Sequence, residues 1–216
     1  CYIVCALPQR YTLEPDRGDM VIAADGGYAQ LGNVKADLVV GDFDSLGYVP
    51  QGEQIVRHPV RKDDTDTILA VKEGLKRGYQ RFLLLGGVGG RLDHTVANMQ
   101  ALAYLLANGA RGALVTEDET ITMIQNESLS FRAGLSGTVS VFSYGPVARG
   151  VYETGLAYAL DNATLTDDNP LGVSNAFTGQ AAQISVRDGR LLVFYSGGPE
   201  ASDLFRQHRK NQLRTP

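Results

Sequence analysis

Two aspartates separated by one residue follow an apolar run in the segment "DLVVGDFDSL" (37–46). Carboxylates are hard oxygen ligands for Mg²⁺ or Ca²⁺, and they also serve as general bases. We expect Gly41 to end the strand. If the chain stays extended beyond it, the alternation of a strand points Asp42 and Asp44 to one side and Phe43 into the packing.

More acids occur in two later segments, "KDDTD" (62–66) and "GGVGGRLDH" (86–94). Two like charges about 4 Å apart repel by roughly 4 kcal/mol near a protein surface, so a group of them at one edge of a sheet favours a bound cation. Mg²⁺ typically takes one or two carboxylates together with phosphate oxygens. These further acids are Asp63, Asp64, Asp66 and Asp93.

The glycines of segment 86–94 precede the clearest helical pattern of the chain. A glycine-rich turn at a helix N-terminus offers backbone N–H groups to an anion, and Arg91 can bind phosphate oxygens through two parallel hydrogen bonds. Acids for a metal, with amides and an arginine for phosphate, predict a site that handles phosphoryl or nucleotidyl groups. A Walker-type P-loop is excluded, because Arg91-Leu92 stands where that motif needs Lys-Ser/Thr.

Short aliphatic runs alternate with helical patterns in the first half, which predicts a largely parallel sheet with helical crossovers. Ligands of such sheets bind outside the carboxyl ends of the strands, where the acids and glycines fall. Thr65 or Asp64 is the expected N-cap of the first helix, and an apolar stripe from Val96 to Leu106 marks the second. The predicted strands are 2–7, 20–25, 37–42, 81–87 and 112–118, and the predicted helices are 65–78 and 93–109.

After about residue 120 the pattern changes to short alternating segments separated by Gly, Asn and Asp. Asp188-Gly189, between two alternating runs, predicts a hairpin turn. We therefore predict an N-terminal α/β nucleotide-binding domain, residues 1–124, and a C-terminal all-β sandwich, residues 125–216. Asp25-Gly26-Gly27, after the second predicted strand, is compatible with a simple turn or with part of the site.

Composition narrows the classes of partner. The net charge of −4 argues against nucleic acid. Apolar runs stay well short of the roughly 18 residues that a membrane-spanning helix needs, and no secretory signal is expected. Cys1 and Cys5 share one face of the first predicted strand, where two small buried hydrophobic residues in a reducing cytoplasm fit better than a disulfide.

Five segments in this order resemble the thiamine pyrophosphokinase family: "ADGG" (24–27), "GDFDS" (41–45), "KDDTD" (62–66), "GGVGGRLDHTVAN" (86–98) and "GVSNAF" (172–177). The resemblance implies Mg²⁺-dependent transfer of the pyrophosphoryl group of ATP to the hydroxyl of thiamine, giving thiamine diphosphate and AMP. It also implies an α/β nucleotide domain, a β-sandwich that binds thiamine, and a homodimer with active sites between subunits.

The resemblance further implies residue roles. Asp42, Asp44 and Asp66 would hold the metal and the triphosphate, and Ser174 and Asn175 would lie near thiamine. Eukaryotic members often carry a Trp in the last motif; this chain has none, which indicates a bacterial-type member and leaves the aromatic partner of thiamine open. The catalytic set comprises Asp42, Asp44, Asp63, Asp66, Arg91 and Asp93. The nucleotide- and substrate-binding set comprises Asp25, Gly26, Ser45, Thr65, Gly89, Gly90, Arg91, His94, Ser174 and Asn175.

The expected chemistry is displacement at the β-phosphorus by an alcohol, in which positioning and charge neutralisation dominate. Arg91 would stabilise developing negative charge, and either Asp63 or Asp93 would orient or deprotonate the hydroxyl. Two alternatives remain: a phosphatase of the haloacid dehalogenase type with Asp42 as nucleophile, and a non-catalytic nucleotide or cation sensor. The first is disfavoured because the acids follow the third strand and not the first.

Overall fold

The structure is a computed structural model that describes residues 1–8, 13–44, 46–51, 53–58 and 63–205. It forms two units, Cys1–Glu117 and Asp118–Pro216. The sequence-based border after residue 124 falls inside a strand of the second unit, Glu119–Gln125.

Six strands among the described residues of the first unit pair in parallel. Their order across the sheet is β6-β5-β1-β2-β3-β4. The strands are β1 (Tyr2–Val4), β2 (Val21–Ala24), β3 (Leu38–Gly41), β4 (Ile55–Arg57), β5 (Arg81–Leu85) and β6 (Arg111–Val115). The parallel sheet predicted from the alternating pattern is confirmed. Strand β4 was not predicted, because it has only two apolar residues, neither of them fully buried, whereas the equally short β1 lies in a longer apolar run.

Two α-helices lie in the crossovers of this sheet, α1 (Asp66–Lys76) and α2 (Leu92–Ala107). Thr65 is the N-cap of α1, and its hydroxyl oxygen accepts the N–H of Ile68 at 3.3 Å. Helix α2 buries Leu102 and Leu105 completely. Val96 was predicted in that buried stripe, but it is 54% exposed.

A short 3₁₀ helix, Asp25–Gln30, begins directly after β2. Tyr28 of this helix packs against an apolar cluster that includes Val21, Val39 and Phe43. Gly27 faces β1 so closely that a Cβ there would lie 1.9 Å from the carbonyl oxygen of Val4. The segment is therefore packed against the strands and is more than a simple turn.

The second unit consists of two antiparallel sheets, in the orders β12-β9-β14-β7 and β11-β10-β13-β8. Apolar side chains from both sheets form one core, in which Phe131 packs edge-to-face on Phe177 and Tyr195 with ring centroids 5.1 Å apart. The predicted β-sandwich is confirmed. Its strands are β7 (Glu119–Gln125), β8 (Ser128–Phe131), β9 (Thr138–Ser143), β10 (Val147–Thr154), β11 (Leu160–Thr166), β12 (Gly172–Ala176), β13 (Ala182–Asp188) and β14 (Arg190–Ser196).

The hairpin predicted at Asp188-Gly189 is wrong. Strand β13 pairs with β10 and β8, whereas β14 pairs with β7 and β9, so the chain crosses from one sheet to the other at this point. Gly189 has a φ of +116°, and a Cβ there would lie 2.9 Å from the Cα of Ala148. Glycine is required for a close crossing between sheets, and the same dipeptide that favours hairpins supplies it.

Helices of the described residues are all too short or too polar to cross a membrane. Cys1 and Cys5 are both buried and both free. Burial raises the pKa of the Cys5 thiol to about 11.

Candidate active site

Three aspartates meet at the carboxyl edge of the parallel sheet. Asp25 follows β2, Asp42 follows the neighbouring strand β3, and Asp66 is the first residue of α1. One carboxylate oxygen of each lies within 4.8 Å of the others. Carboxylates gathered at this distance form a ligand set for a hard divalent cation.

Gly41 allows Asp25 to approach. The glycine lies in β3, paired with Arg57 of β4, and a Cβ at this position would lie 2.9 Å from the Cβ of Asp25. Gly41 is the last residue of β3, as expected. A residue without a side chain is needed there because the neighbouring segment occupies its space.

Asp25 is the most buried member of the acidic group, with 6% of its surface exposed. Its Oδ1 atom is buried and has no hydrogen-bond partner. A carboxylate withdrawn from water without a partner is costly, and a cation offsets that cost. The residues present thus fit a bound Mg²⁺. In the sequence analysis, Asp25 was placed in the binding set but not among the metal ligands. The pairing of β2 with β3 brings Asp25 close to Asp42, and the sequence alone does not reveal this pairing.

The chain turns at Phe43 and does not stay extended. Phe43 has a φ of +66°, and the N–H of Asp44 donates to Oδ1 of Asp42 at 3.2 Å. Phe43 is buried in the cluster with Val39, as predicted. Asp44 is exposed and lies outside the group of three acids. Ser45 lies outside the described residues.

The second acidic motif divides its roles among its members. Asp64 accepts a hydrogen bond from Lys72 Nζ at 2.6 Å, which raises the pKa of Lys72. Asp63 is exposed, and Thr65 caps α1 while Asp66 joins the acidic group. The motif therefore supplies both the N-cap of a helix and one member of the acidic group.

The glycine-rich loop after β5 is tied to helix α2 by side chains of that helix. Asn98 Nδ2 donates to the carbonyl of Gly87 at 2.7 Å, and the N–H of Gly89 donates to Thr95 Oγ1 at 3.0 Å. The amide of Gly89 is therefore engaged inside the loop. Gly90 has a φ of +59° and is exposed to solvent, whereas Gly26 is half-buried.

Arg91 and Asp93 form a two-point ion pair at the start of α2. Arg91 Nη2 lies 2.6 Å from Oδ2 of Asp93, and Nε lies 3.2 Å from Oδ1. Oδ1 also accepts the N–H of His94, an exposed residue, at 3.0 Å. The Arg91 guanidinium holds the pKa of the Asp93 carboxyl below its usual range. Because both side chains are exposed, water screens the pair and phosphate can compete for Arg91.

The last motif lies on β12 of the second unit. Ser174 is exposed and has a φ of +63°, whereas Asn175 is 5% exposed. Asn175 Nδ2 donates to Oε2 of the buried Glu153 on β10 at 2.6 Å. Sequence reasoning missed Glu153. The alternation of β10 could have revealed it, because Glu153 occupies a position on the buried face where the pattern predicts an apolar residue.

An acidic group at the carboxyl edge of a parallel sheet, with a glycine-rich loop and an arginine following another strand of that edge, is the arrangement of a metal-dependent phosphoryl-transfer enzyme. Residues 13–113 match the family model "Thiamin pyrophosphokinase, catalytic domain", and residues 121–191 match "Thiamin pyrophosphokinase, vitamin B1 binding domain". The chain belongs to the thiamin pyrophosphokinase family of ATP-dependent diphosphotransferases.

Relatives from plants and bacteria match most of the chain. It is 24% identical over 212 residues to thiamine pyrophosphokinase 1 of Oryza sativa subsp. japonica, covering 83% of this chain and 80% of that one. The crystal structure of thiamine pyrophosphokinase from Bacillus subtilis has a TM-score of 0.79 at 22% identity, covering 91% and 98% of the two chains. The crystal structure of a thiamin pyrophosphokinase family protein from Enterococcus faecalis has a TM-score of 0.77 at 26% identity, and it also covers 91% and 98% of the two chains. The fold class is confirmed, and the phosphatase alternative finds no support.

The composition of the acidic group can be tested with Mn²⁺ as a probe. Asp25→Asn should weaken Mn²⁺ binding at least about tenfold, because it removes the buried carboxylate with the unpartnered oxygen. Asp44→Asn is the matched control at an exposed position and should cause a smaller change. Titration followed by electron paramagnetic resonance, without nucleotide, measures both. An equal or larger loss in Asp44→Asn would place Asp44 in the group instead.

Proposed function

We propose that this chain transfers the diphosphoryl group of ATP to the hydroxyl of thiamine, giving thiamine diphosphate and AMP. The observation that carries the proposal is the acidic group Asp25, Asp42 and Asp66, which lies within the residues that match the catalytic-domain model. The same chain continues into residues that match a vitamin B1-binding model. A phosphoryl-transfer site and a thiamine-binding region in one chain fit this reaction.

The three carboxylates would hold Mg²⁺. When bound, the ion neutralises charge on the phosphate oxygens of ATP. The chain itself supplies the fixed position of Asp25, since the contact with Gly41 and the start of the 3₁₀ helix leave its main chain little freedom. Asp44 remains a proposed contributor to metal binding, and its main-chain N–H donates to Oδ1 of Asp42.

Arg91 is the residue that we assign to the phosphates. Its planar guanidinium already forms two parallel hydrogen bonds with a carboxylate, the geometry with which arginine also binds phosphate. Negative charge that develops on the leaving AMP is stabilised by this cation. Gly90, which precedes Arg91, and His94, whose N–H donates to Asp93, complete the proposed nucleotide contacts.

In the region that matches the vitamin B1-binding model, Ser174 and Tyr158 are two of the exposed residues around the last motif. Tyr158 is 72% exposed, and its main chain is hydrogen-bonded to Asn175. With no Trp in the chain, Tyr158 offers an aromatic face on which the rings of thiamine would stack. Thiamine is a cation, so the net charge of −4 also attracts it.

We place the enzyme in the cytoplasm. Both cysteines are free and buried, which fits a reducing compartment. Fractionation of cells that make the protein checks this, and recovery in a membrane or secreted fraction would contradict it.

The reaction is tested by its products. Incubation with ATP, Mg²⁺ and thiamine should yield AMP and thiamine diphosphate in equal amounts, and chelation of the metal should stop the reaction. Chromatography of both products measures it. Release of ADP or inorganic phosphate in place of AMP would refute diphosphoryl transfer.

Asp63, and not Asp93, is the acid that we assign to the thiamine hydroxyl. Both oxygens of Asp93 are bonded to Arg91 and its lowered pKa makes it a weak base, whereas Asp63 is exposed. Asp63→Asn should lower kcat by about 10²-fold or more with the KM for ATP little changed. Asp93→Asn should instead raise the KM for ATP, because Arg91 loses its partner. Steady-state kinetics separate the two, and the reverse pattern would exchange the assignments.

The active form that we propose is a homodimer with active sites between subunits. The second unit exposes the apolar side chains of Tyr152, Leu171 and Val173, which suit an interface between copies. Light scattering should give about twice the 23.3 kDa of one chain. Leu171→Asp should shift the mass toward the monomer, whereas Tyr48→Asp, at an exposed residue of the first unit, should not. A monomeric wild type that is fully active would contradict the proposal.

A further inference from the structure

Asn175 uses its entire side-chain amide within the β-sandwich. Oδ1 accepts the N–H groups of Tyr158 and Ala176, each at 2.9 Å. Nδ2 donates to the carbonyl of Tyr158 and to Oε2 of Glu153, each at 2.6 Å. An amide has two N–H donors and two acceptor lone pairs, and all four are occupied. Asn175 therefore has no hydrogen bond left for a ligand.

The amide of Asn175 holds both main-chain polar groups of Tyr158, as a neighbouring strand would. Tyr158 lies in the segment between β10 and β11, and its ring is exposed. Ser174, next to Asn175, is held in its left-handed conformation with its N–H donating to Ser140 Oγ at 3.1 Å. Two exposed side chains are thus mounted on main chain that Asn175 and its neighbours fix.

Glu153 supports Asn175 from the opposite sheet. Along β10 the side chains alternate: Val151 is fully buried, Tyr152 is 37% exposed, and Glu153 is 1% exposed. Glu153 therefore points into the sandwich, where its Oε2 meets Asn175 of β12. Its Oε1 has no hydrogen-bond partner. Burial raises the pKa of the Glu153 carboxyl, which favours the neutral acid.

A buried acid at a core position calls for an explanation, because an apolar residue would fill the site without the cost of burying a polar group. The hydrogen bond from Asn175 to Glu153 supplies that explanation. Without an acceptor at residue 153, one N–H of Asn175 would be unpaired in the core and the amide would be free to turn away from Tyr158.

We propose that Glu153 is a positioning residue for substrate binding: acting through Asn175, it holds the main chain of Tyr158 and so the exposed face of Tyr158 and Ser174 that receives thiamine. This role rests on the proposed function for its substrate. The contact between Glu153 and Asn175 belongs to the sandwich whether or not thiamine is the ligand. Glu153 itself does not touch the substrate.

Hydrogen exchange tests the link without any substrate. Glu153→Leu keeps the volume but removes the acceptor, so the Tyr158 amide, which donates to Asn175, should exchange roughly tenfold faster. Glu153→Gln is the matched control, since its neutral amide retains an oxygen for Asn175, and it should exchange like the wild type. Amides of β13 should be unchanged in both. Unaltered exchange at Tyr158 in Glu153→Leu would overturn the proposal.

Kinetics test the consequence for the substrate. In Glu153→Leu the KM for thiamine should rise roughly tenfold, while kcat and the KM for ATP stay near the wild-type values. Glu153→Gln should restore the KM for thiamine. Equal changes for both substrates, or a glutamine variant as impaired as the leucine variant, would overturn a positioning role. If the wild type forms no thiamine diphosphate, the proposed function fails while the exchange result still decides the link.

A second variant covers the case in which Glu153→Leu does not fold. Asn175→Asp replaces the Nδ2 donor by an oxygen, so both donated bonds are lost, and the oxygens of Glu153 and of the Tyr158 carbonyl repel the new carboxylate and turn it away from Tyr158. The same rise in the KM for thiamine and faster exchange at Tyr158 are expected. Wild-type values of both in a folded Asn175→Asp protein would overturn the proposal.

Discussion

The candidate site depends on the close approach of Asp25 to Gly41. Neighbouring parallel strands end at the same edge, but their side chains meet there only if one strand makes room for the other. Gly41 makes that room in β3, and Asp25 enters it with its Cβ at 2.9 Å from the place a Cβ would occupy. The buried carboxylate then lies beside Asp42 and Asp66. The acidic group is thus a product of strand order and of one missing side chain.

Backbone strain coincides with the motifs. Among the described residues, five that are not glycine have positive φ values, and three of them, Asp25, Phe43 and Ser174, lie in the segments that carry the family resemblance. The other two are Asn126 and Asn162, a residue type that tolerates this conformation. Each such conformation costs on the order of 1–3 kcal/mol and persists only where the surroundings enforce it. Burial enforces it at Phe43, and packing against Gly41 does so at Asp25.

Much of the fold and part of the site follow from the sequence, for identifiable reasons. Periodicity predicts α1, with its cap at Thr65 or Asp64, and it predicts the parallel sheet and the sandwich from the patterns of their single strands and helices, which depend on neighbours in the chain. Strand β4 and the crossing at Gly189 depend on partners far along the chain, where local signals mislead. In the site, the acids were found by type and position. The place of Asp25 beside Asp42 and Asp66 was not, because it follows from the order of β2 and β3.

At Tyr158 the main chain is held by Asn175, whereas the side chain is exposed and takes no part in that attachment. Asn175 bonds the main-chain N–H and carbonyl of residue 158, and every amino acid except proline has both groups. The attachment therefore does not depend on which side chain residue 158 carries. The ring can therefore change in size, polarity or shape while its point of attachment stays in place. Under the proposed function, such a position can diversify for other heteroaromatic substrates within an unchanged scaffold, and it is a site for redesigning selectivity.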